Sequence, residues 1–254
     1  MTFREAIDRQ RAKERARENL AASGIIVGTD VGASLGGLAL SRGLADRAKH
    51  MIPFDRLKEL AALGGINVET DILGGRNNAF YRPAFLSRLL GRPTGEHGTI
   101  GMITSGGGRM SLPLDVAAHE VGHGMSWAGK AGMLPQLIAR ARIPGSMMGA
   151  GAGLTGLLKG TMGDKPLAER EEWLNAASIA GGAGMAPVLA DEAMASRNAF
   201  KVFQRIPGDS AIRQEVARQA VKRLARAWGT YGIGALGLVL GPQLAKGYYR
   251  RRHE

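Results

Sequence analysis

The sequence contains no cysteine. This absence excludes thiolate metal sites, a disulfide framework and a cysteine nucleophile, and it leaves the redox compartment undecided. Any metal ion that the chain binds must therefore be held by histidine, aspartate or glutamate. Histidine is also scarce, with five in 254 residues, so two histidines at a ligand spacing are informative.

Aromatic residues are few, at 5% of the chain, although the formal net charge is +12. The charge predicts an acidic partner, most simply a nucleic acid or an anionic lipid surface. Single-stranded nucleic acid is bound by aromatic side chains interleaved with basic ones, and this pattern is missing. We therefore expect a membrane or anionic lipid surface as partner. Nucleic-acid binding through the basic stretch 197–228 is the less favoured alternative.

No apolar run exceeds the roughly 20 residues that a membrane span needs, but four come close to that length. They are rich in glycine and alanine and cover residues 24–41, 143–158, 174–190 and 229–245. They predict up to four transmembrane helices and a membrane-associated protein. The alternative is that they form helices buried in an oligomer or larger assembly. Asp30, inside the first run, would be costly in lipid unless it faced protein or water.

The chain as a whole predicts a mainly α fold in four parts. These are a charged N-terminal helix at 1–23, an apolar helix at 24–41, a central domain at 42–227 with an apolar helical hairpin at 143–190, and a C-terminal apolar helix with a basic tail at 228–254. The mixed charges at the start are unlike a cleaved signal peptide.

Three local features are predicted inside the central domain. The segment 98–108, "GTIGMITSGGG", is the best strand candidate because apolar and β-branched residues are bounded by glycine. Asp115 is placed to cap the helix that follows. The polar stretch 160–173 is expected to form a loop.

The stretch "DVAAHEVGHGMSW" contains the motif H-E-x-x-H at 119–123. Positions four apart lie on one face of a helix, so the imidazoles of His119 and His123 can reach one metal ion. Glu120, beside the first histidine, can then contact a water on the metal and act as general base. The motif predicts a zinc site with one ion per chain.

A catalytic zinc site usually has three protein ligands, so an acid elsewhere in the chain is needed. Glu192 is the best candidate because it begins an E-x-x-A-S pattern, whose small residues one turn later would let its helix pack closely against that of the histidines. Asp191 is the adjacent competitor. Further alternatives, on the expected loop, are Glu169, Glu171 and Glu172.

These two motifs, with two apolar runs between them, resemble the neutral zinc metallopeptidases, a bacterial family of membrane-associated gluzincins. The resemblance implies a bacterial or phage-encoded protein. The specific matches are confined to about 115–126 and 187–199. The resemblance implies a helical gluzincin-like core with a short β element before the active-site helix. It also implies that His119, His123 and Glu192 bind zinc and that Glu120 shuttles the proton.

The sequence therefore predicts a zinc-dependent endopeptidase that hydrolyses peptide bonds of a peptide or protein substrate at a membrane. Substrate is expected to pair with the edge of a strand at 99–104. The oxyanion needs a donor near the metal, and the candidates are Tyr81, Arg82, His97 and Arg197. The alternative function is a non-enzymatic basic protein that inserts into membranes or assembles a virion or secretion machine.

Overall fold

The computed structural model describes residues 3–45, 51–62, 65–71, 78–103, 111–205 and 210–253. Within these residues the helices are α1 (Phe3–Ala45), α2 (Phe54–Ala62), α3 (Ala84–Leu89), α4 (Leu114–Trp127), α5 (Met133–Thr161), α6 (Leu167–Phe203) and α7 (Ser210–His253). The strands are β1 (Met51–Pro53), β2 (Ile66–Asp71), β3 (Asn78–Pro83), β4 (Gly98–Ile103) and β5 (Ser111–Pro113). The prediction of a mainly α fold is confirmed.

The chain divides into two compact units. The first consists of Met1–Ala39, Ile143–Ala186 and Thr230–Glu254, and its described residues are all helical apart from the connection at 162–166. We call it the helical unit. The second consists of Leu40–Arg142 and Pro187–Gly229 and contains all five described strands. We call it the site unit, since H-E-x-x-H and Glu192 both lie in it.

The four glycine-rich runs all lie on helices, in α1, α5, α6 and α7. However, no helix in the described part of the chain is long and apolar enough to cross a membrane. The physical reason is that glycine and alanine add little hydropathy and that polar residues such as Asp30 interrupt the runs. The prediction of transmembrane helices is wrong, and so is the membrane-associated localisation based on it.

The polar stretch 160–173, predicted as a loop, is mostly helical. Helix α5 ends at Thr161 and α6 begins at Leu167, so only 162–166 connects them. The three glutamates predicted to lie on this loop therefore lie near the start of α6, namely Glu169, Glu171 and Glu172. Glu169 lies in the first turn, where a negative charge complements the positive end of the helix dipole and favours this early start.

A buried arginine joins three helices of the helical unit. Arg170 of α6 is 5% exposed, and its guanidinium donates to Asn19 Oδ1 of α1 at 2.7 Å. It also donates to the Tyr249 hydroxyl of α7 at 3.1 Å and to the Gly163 carbonyl at 2.7 Å. Buried charges are tolerated when they are hydrogen-bonded in this way, so Arg170 fixes the relative positions of these helices.

Helices α5 and α6 approach within backbone contact in the helical unit. A Cβ atom built on Gly149 would lie 2.4 Å from the Gly184 Cα, and one built on Gly184 would lie 2.6 Å from the Gly149 Cα. Because backbone atoms cannot move aside, both positions require glycine.

Replacing Gly149 by alanine is expected to lower the free energy of unfolding by about 1–3 kcal/mol, since the added methyl group overpacks the contact. Gly151→Ala is the matched control, because nothing lies within 4 Å of a Cβ at Gly151. That variant is expected to gain up to about 1 kcal/mol from the helix propensity of alanine. Urea unfolding followed by circular dichroism measures both, and equal effects would contradict the close approach.

The site unit contains a three-stranded sheet in the order β2-β4-β3. Strand β4 pairs in parallel with β2, with Ile66 opposite Gly98, and antiparallel with β3, with Tyr81 opposite Ile100. Since β4 is the middle strand, both of its edges are already hydrogen-bonded. The prediction that it binds substrate by edge pairing is wrong. The strand itself was located correctly at 98–103, and 104–108 lie outside the described residues.

Helix α4 starts directly after β5, which pairs with β1. Pro113 occupies the cap position, with no side-chain cap, so the prediction that Asp115 is the cap is wrong. Asp115 lies instead in the first turn, where its charge favours the helix dipole. The helix packs through Val121 and Met125 into the core of the site unit, together with Ile100 of β4. The sheet and this core fix the position of α4.

Candidate metal centre

The two histidines of H-E-x-x-H lie one turn apart on α4 and on the same side of it. The ring centroids of His119 and His123 are 4.8 Å apart. Their side chains are only 12% and 4% exposed. The helix therefore presents two largely buried imidazoles next to each other.

Glycine in the motif allows α6 to reach these histidines. A Cβ on Gly122 would lie 2.3 Å from the Ala195 carbonyl oxygen of α6. The Asn198 side chain strengthens this contact by donating to the Gly122 carbonyl at 3.3 Å and to Ser126 Oγ at 2.9 Å. This close packing brings the E-x-x-A-S segment against α4, as the small residues of that segment predicted.

Glu192 is the acid that this packing places beside the histidines. Its Oε2 atom lies 3.0 Å from His119 Nε2 and 3.5 Å from His123 Nε2. The ligand atoms of these three residues all lie within 4.8 Å of one another, so they could hold a metal ion. We call His119, His123 and Glu192 the metal group. Of the other acids, Glu171 pairs with Arg250 and Glu169 with Lys165, both inside the helical unit.

Asp191, the competitor of Glu192, contacts the other ring nitrogen of His123. Its Oδ2 atom lies 2.9 Å from His123 Nδ1. Ser196 has the same relation to the first histidine, with its Oγ atom 3.3 Å from His119 Nδ1. Both rings therefore use Nδ1 for a protein partner and direct Nε2 towards Glu192, which is how the outer partners of metal-ligating histidines orient them.

Arg142 also belongs to this site, although the sequence did not indicate it. Its Nη2 atom lies 2.8 Å from Glu192 Oε1 and its Nη1 atom 2.9 Å from Asp191 Oδ2. One guanidinium therefore pairs with two adjacent buried carboxylates, and by binding Oε1 of Glu192 it leaves Oε2 towards the histidines. Only its basic charge beside an apolar run was visible in the sequence.

The charges of this cluster shift its pKa values strongly. Burial lowers the pKa of His123, but the charges and hydrogen bonds of Glu192 and Asp191 outweigh burial and raise it to about 10. Burial likewise raises the pKa of Glu192 and of Asp191, but His123 and Arg142 outweigh it, so both lie below their usual values. Without a metal, the cluster is therefore a protonated imidazole held between carboxylates.

Glu120 is buried on α4, with 9% of its surface exposed. Burial raises its pKa, and the negative charge of Glu192 adds to this, while the charges of His123, His119 and Arg142 oppose it. A carboxylate with a raised pKa accepts a proton more readily at neutral pH, which suits a general base.

The four candidates for oxyanion stabilisation occupy different places. The Tyr81 ring stacks on that of His123, with centroids 6.0 Å apart, and its hydroxyl donates to the His97 carbonyl at 2.6 Å. Arg82 bonds to Glu69 and Ser87, and Arg197 is exposed. Of the four, Tyr81 therefore lies against a residue of the metal group. Burial and the charge of Asp191 raise its pKa, so its hydroxyl stays protonated.

An aromatic pair lies one turn beyond His123 on α4 and was not anticipated. The Trp127 ring stacks on Phe85 of α3 with centroids 5.7 Å apart, and Phe85 is 46% exposed. Trp127 continues the four-residue spacing of the two histidines, which is the signal that could have revealed it.

Comparison of this chain with protein-family models, curated proteins and solved structures gives no match. The resemblance to the neutral zinc metallopeptidases therefore rests on the residues of H-E-x-x-H and E-x-x-A-S alone.

Proposed function

We propose that this protein is a zinc-dependent endopeptidase in which Glu120 is the general base. The observation that supports it most is the convergence of His119, His123 and Glu192, whose ligand atoms lie within 4.8 Å of one another. The endopeptidase class comes from the resemblance of the two motifs to the neutral zinc metallopeptidases.

Two imidazoles and a carboxylate are a donor set that zinc commonly takes in hydrolases, with one position left for water or substrate. Zinc held here would polarise a water molecule and the carbonyl group of a peptide bond. The hydrogen bonds of Asp191 and Ser196 to the Nδ1 atoms fit this role, because they leave both Nε2 atoms for the metal.

Glu120 would take a proton from the attacking water as the water oxygen bonds to the peptide carbonyl carbon. It would then deliver that proton to the amide nitrogen as the C–N bond breaks. The raised pKa of Glu120 suits both steps, since the side chain must first accept the proton and then release it. The products are a carboxylic acid and an amine, and Glu120 returns to its starting state.

Zinc stoichiometry tests the proposal. We expect one zinc per chain in the wild type by elemental analysis, and loss of most of it in His123→Ala and Glu192→Ala, since each removes one of three protein ligands. Glu172→Ala and His253→Ala are matched controls, because both residues are exposed and outside the metal group. They should keep the wild-type zinc content.

All variants are compared at equal folded content by circular dichroism. A folded wild type that takes up no zinc on reconstitution would contradict the proposal. So would full zinc content in Glu192→Ala, since another acid would then be the ligand.

A further inference from the structure

The helical unit contains a cavity of about 630 Å³ lined by residues of α1, α5, α6 and α7. Its walls are mostly apolar and include Met147, Leu154, Leu157, Met185 and Leu238. Met147 and Leu154 are 69% and 58% exposed, so the cavity is open to solvent. Its volume and lining lie in the range of pockets that bind small apolar molecules.

Among the described residues that line this cavity, Asp30 of α1 is the only ionisable one. Its Oδ1 atom is buried and has no hydrogen-bond partner in the described part of the chain. A buried polar atom without a partner is costly, and burial accordingly raises the pKa of this carboxyl group. A positively charged group in the cavity beside the Asp30 carboxylate would offset this cost.

We propose that the cavity binds a cationic amphiphile, a single alkyl chain ending in an ammonium group. The alkyl chain lies along the apolar walls and the ammonium group pairs with Asp30. This site is independent of the metal group and of the peptidase proposal, because all of its residues belong to the helical unit.

Because the protein is strongly basic, a preference for a cationic over an anionic amphiphile would be evidence for a specific site. The net charge is +12, so non-specific attraction favours an anionic amphiphile over a cationic one. Tighter binding of the amine must therefore come from a local carboxylate, and Asp30 is the carboxylate that the described residues place at the cavity.

The test uses dodecylamine, dodecanol and dodecanoate, each below its micelle concentration, with the full chain in isothermal titration calorimetry. We expect the amine to bind one per chain, about tenfold or more tighter than the alcohol and tighter than the carboxylate, as a charge-assisted hydrogen bond implies. Asp30→Asn keeps the size of the side chain and should reduce the affinity for the amine to that for the alcohol.

A second pair of variants tests the location. Gly153 lines the cavity and a Cβ there has only ordinary contacts, the nearest at 3.7 Å, so Gly153→Leu should fit and weaken binding of the amine about tenfold or more by filling space. A Cβ at Gly151, on the same helix, meets nothing within 4 Å, so Gly151→Leu should bind the amine as the wild type does.

Methyl resonances of ¹³C-labelled methionine provide a test that needs no variant. The amine should shift the signals of Met147 and Met185, which line the cavity, and leave that of Met125 in the site unit unchanged. No binding of the amine, equal binding of amine and alcohol, or shifts that avoid Met147 and Met185 would each overturn the proposal.

Discussion

Glu120→Gln is expected to lower the rate of peptide hydrolysis by about 10²–10⁴-fold, the usual contribution of a general base, while zinc stays bound. Glutamine has the size of glutamate but cannot accept a proton. Glu120 is outside the group of ligand residues, so the zinc content should remain at one per chain. The measurement is cleavage of a mixture of quenched fluorescent peptides, with zinc determined on the same samples.

The control for this substitution is Glu172→Gln, which removes the charge of an exposed glutamate on α6 and should retain full activity. A wild-type rate of hydrolysis in Glu120→Gln would contradict the role of Glu120 as general base. Zinc bound without any hydrolysis by the wild type would instead favour a non-enzymatic protein that keeps a peptidase-like metal group.

The metal group was the part of the protein that the sequence predicted best, for a local reason. His119 and His123 are four residues apart on one helix, so helix geometry alone places them together. Glu192 is 69 residues after His123, and its proximity depends on α6 packing against α4. The sequence still indicated it, because the small residues of E-x-x-A-S permit the contact that Ala195 makes with Gly122.

The partners around that group could not be predicted to the same extent. Arg142 lies near the end of a stretch with several basic residues, and nothing in its neighbours distinguishes it from Arg140. Its role follows from the positions of Asp191 and Glu192 on another helix. Tertiary contacts of this kind leave no periodic pattern in one sequence.

Two of the predictions that failed did so for one reason, which is that a local sequence pattern does not determine how the resulting strand or helix is surrounded. The residues of β4 do form a strand, but whether a strand lies at an edge depends on which others pair with it, and β4 has β2 and β3 on its two sides. The glycine-rich runs do form helices, but the residues that make them pack closely, such as Gly149 and Gly184, also make them too weakly apolar to span a membrane.

Zinc affinity is expected to increase about tenfold per pH unit from pH 7 to pH 9, because zinc binds only the neutral form of an imidazole. In the metal-free protein, Glu192 and Asp191 raise the pKa of His123 to about 10 against the effect of burial. His123 therefore carries a proton over this whole range, and each zinc ion must displace it. The pKa values of the two carboxylates are lowered, so they contribute no further proton.

Chelator-buffered zinc titrations measure this slope, and calorimetry at pH 7.5 in buffers of different ionisation enthalpy measures the proton released, which should be one per zinc.

Asp191→Asn removes one of the two carboxylates that raise the pKa of His123, so it should reduce the proton release. It should also weaken zinc binding about 10–100-fold through loss of the outer hydrogen bond. Glu172→Gln should change neither quantity. An affinity independent of pH would mean that His123 is already neutral in the metal-free protein, and that Arg142 is the cation paired with Asp191 and Glu192.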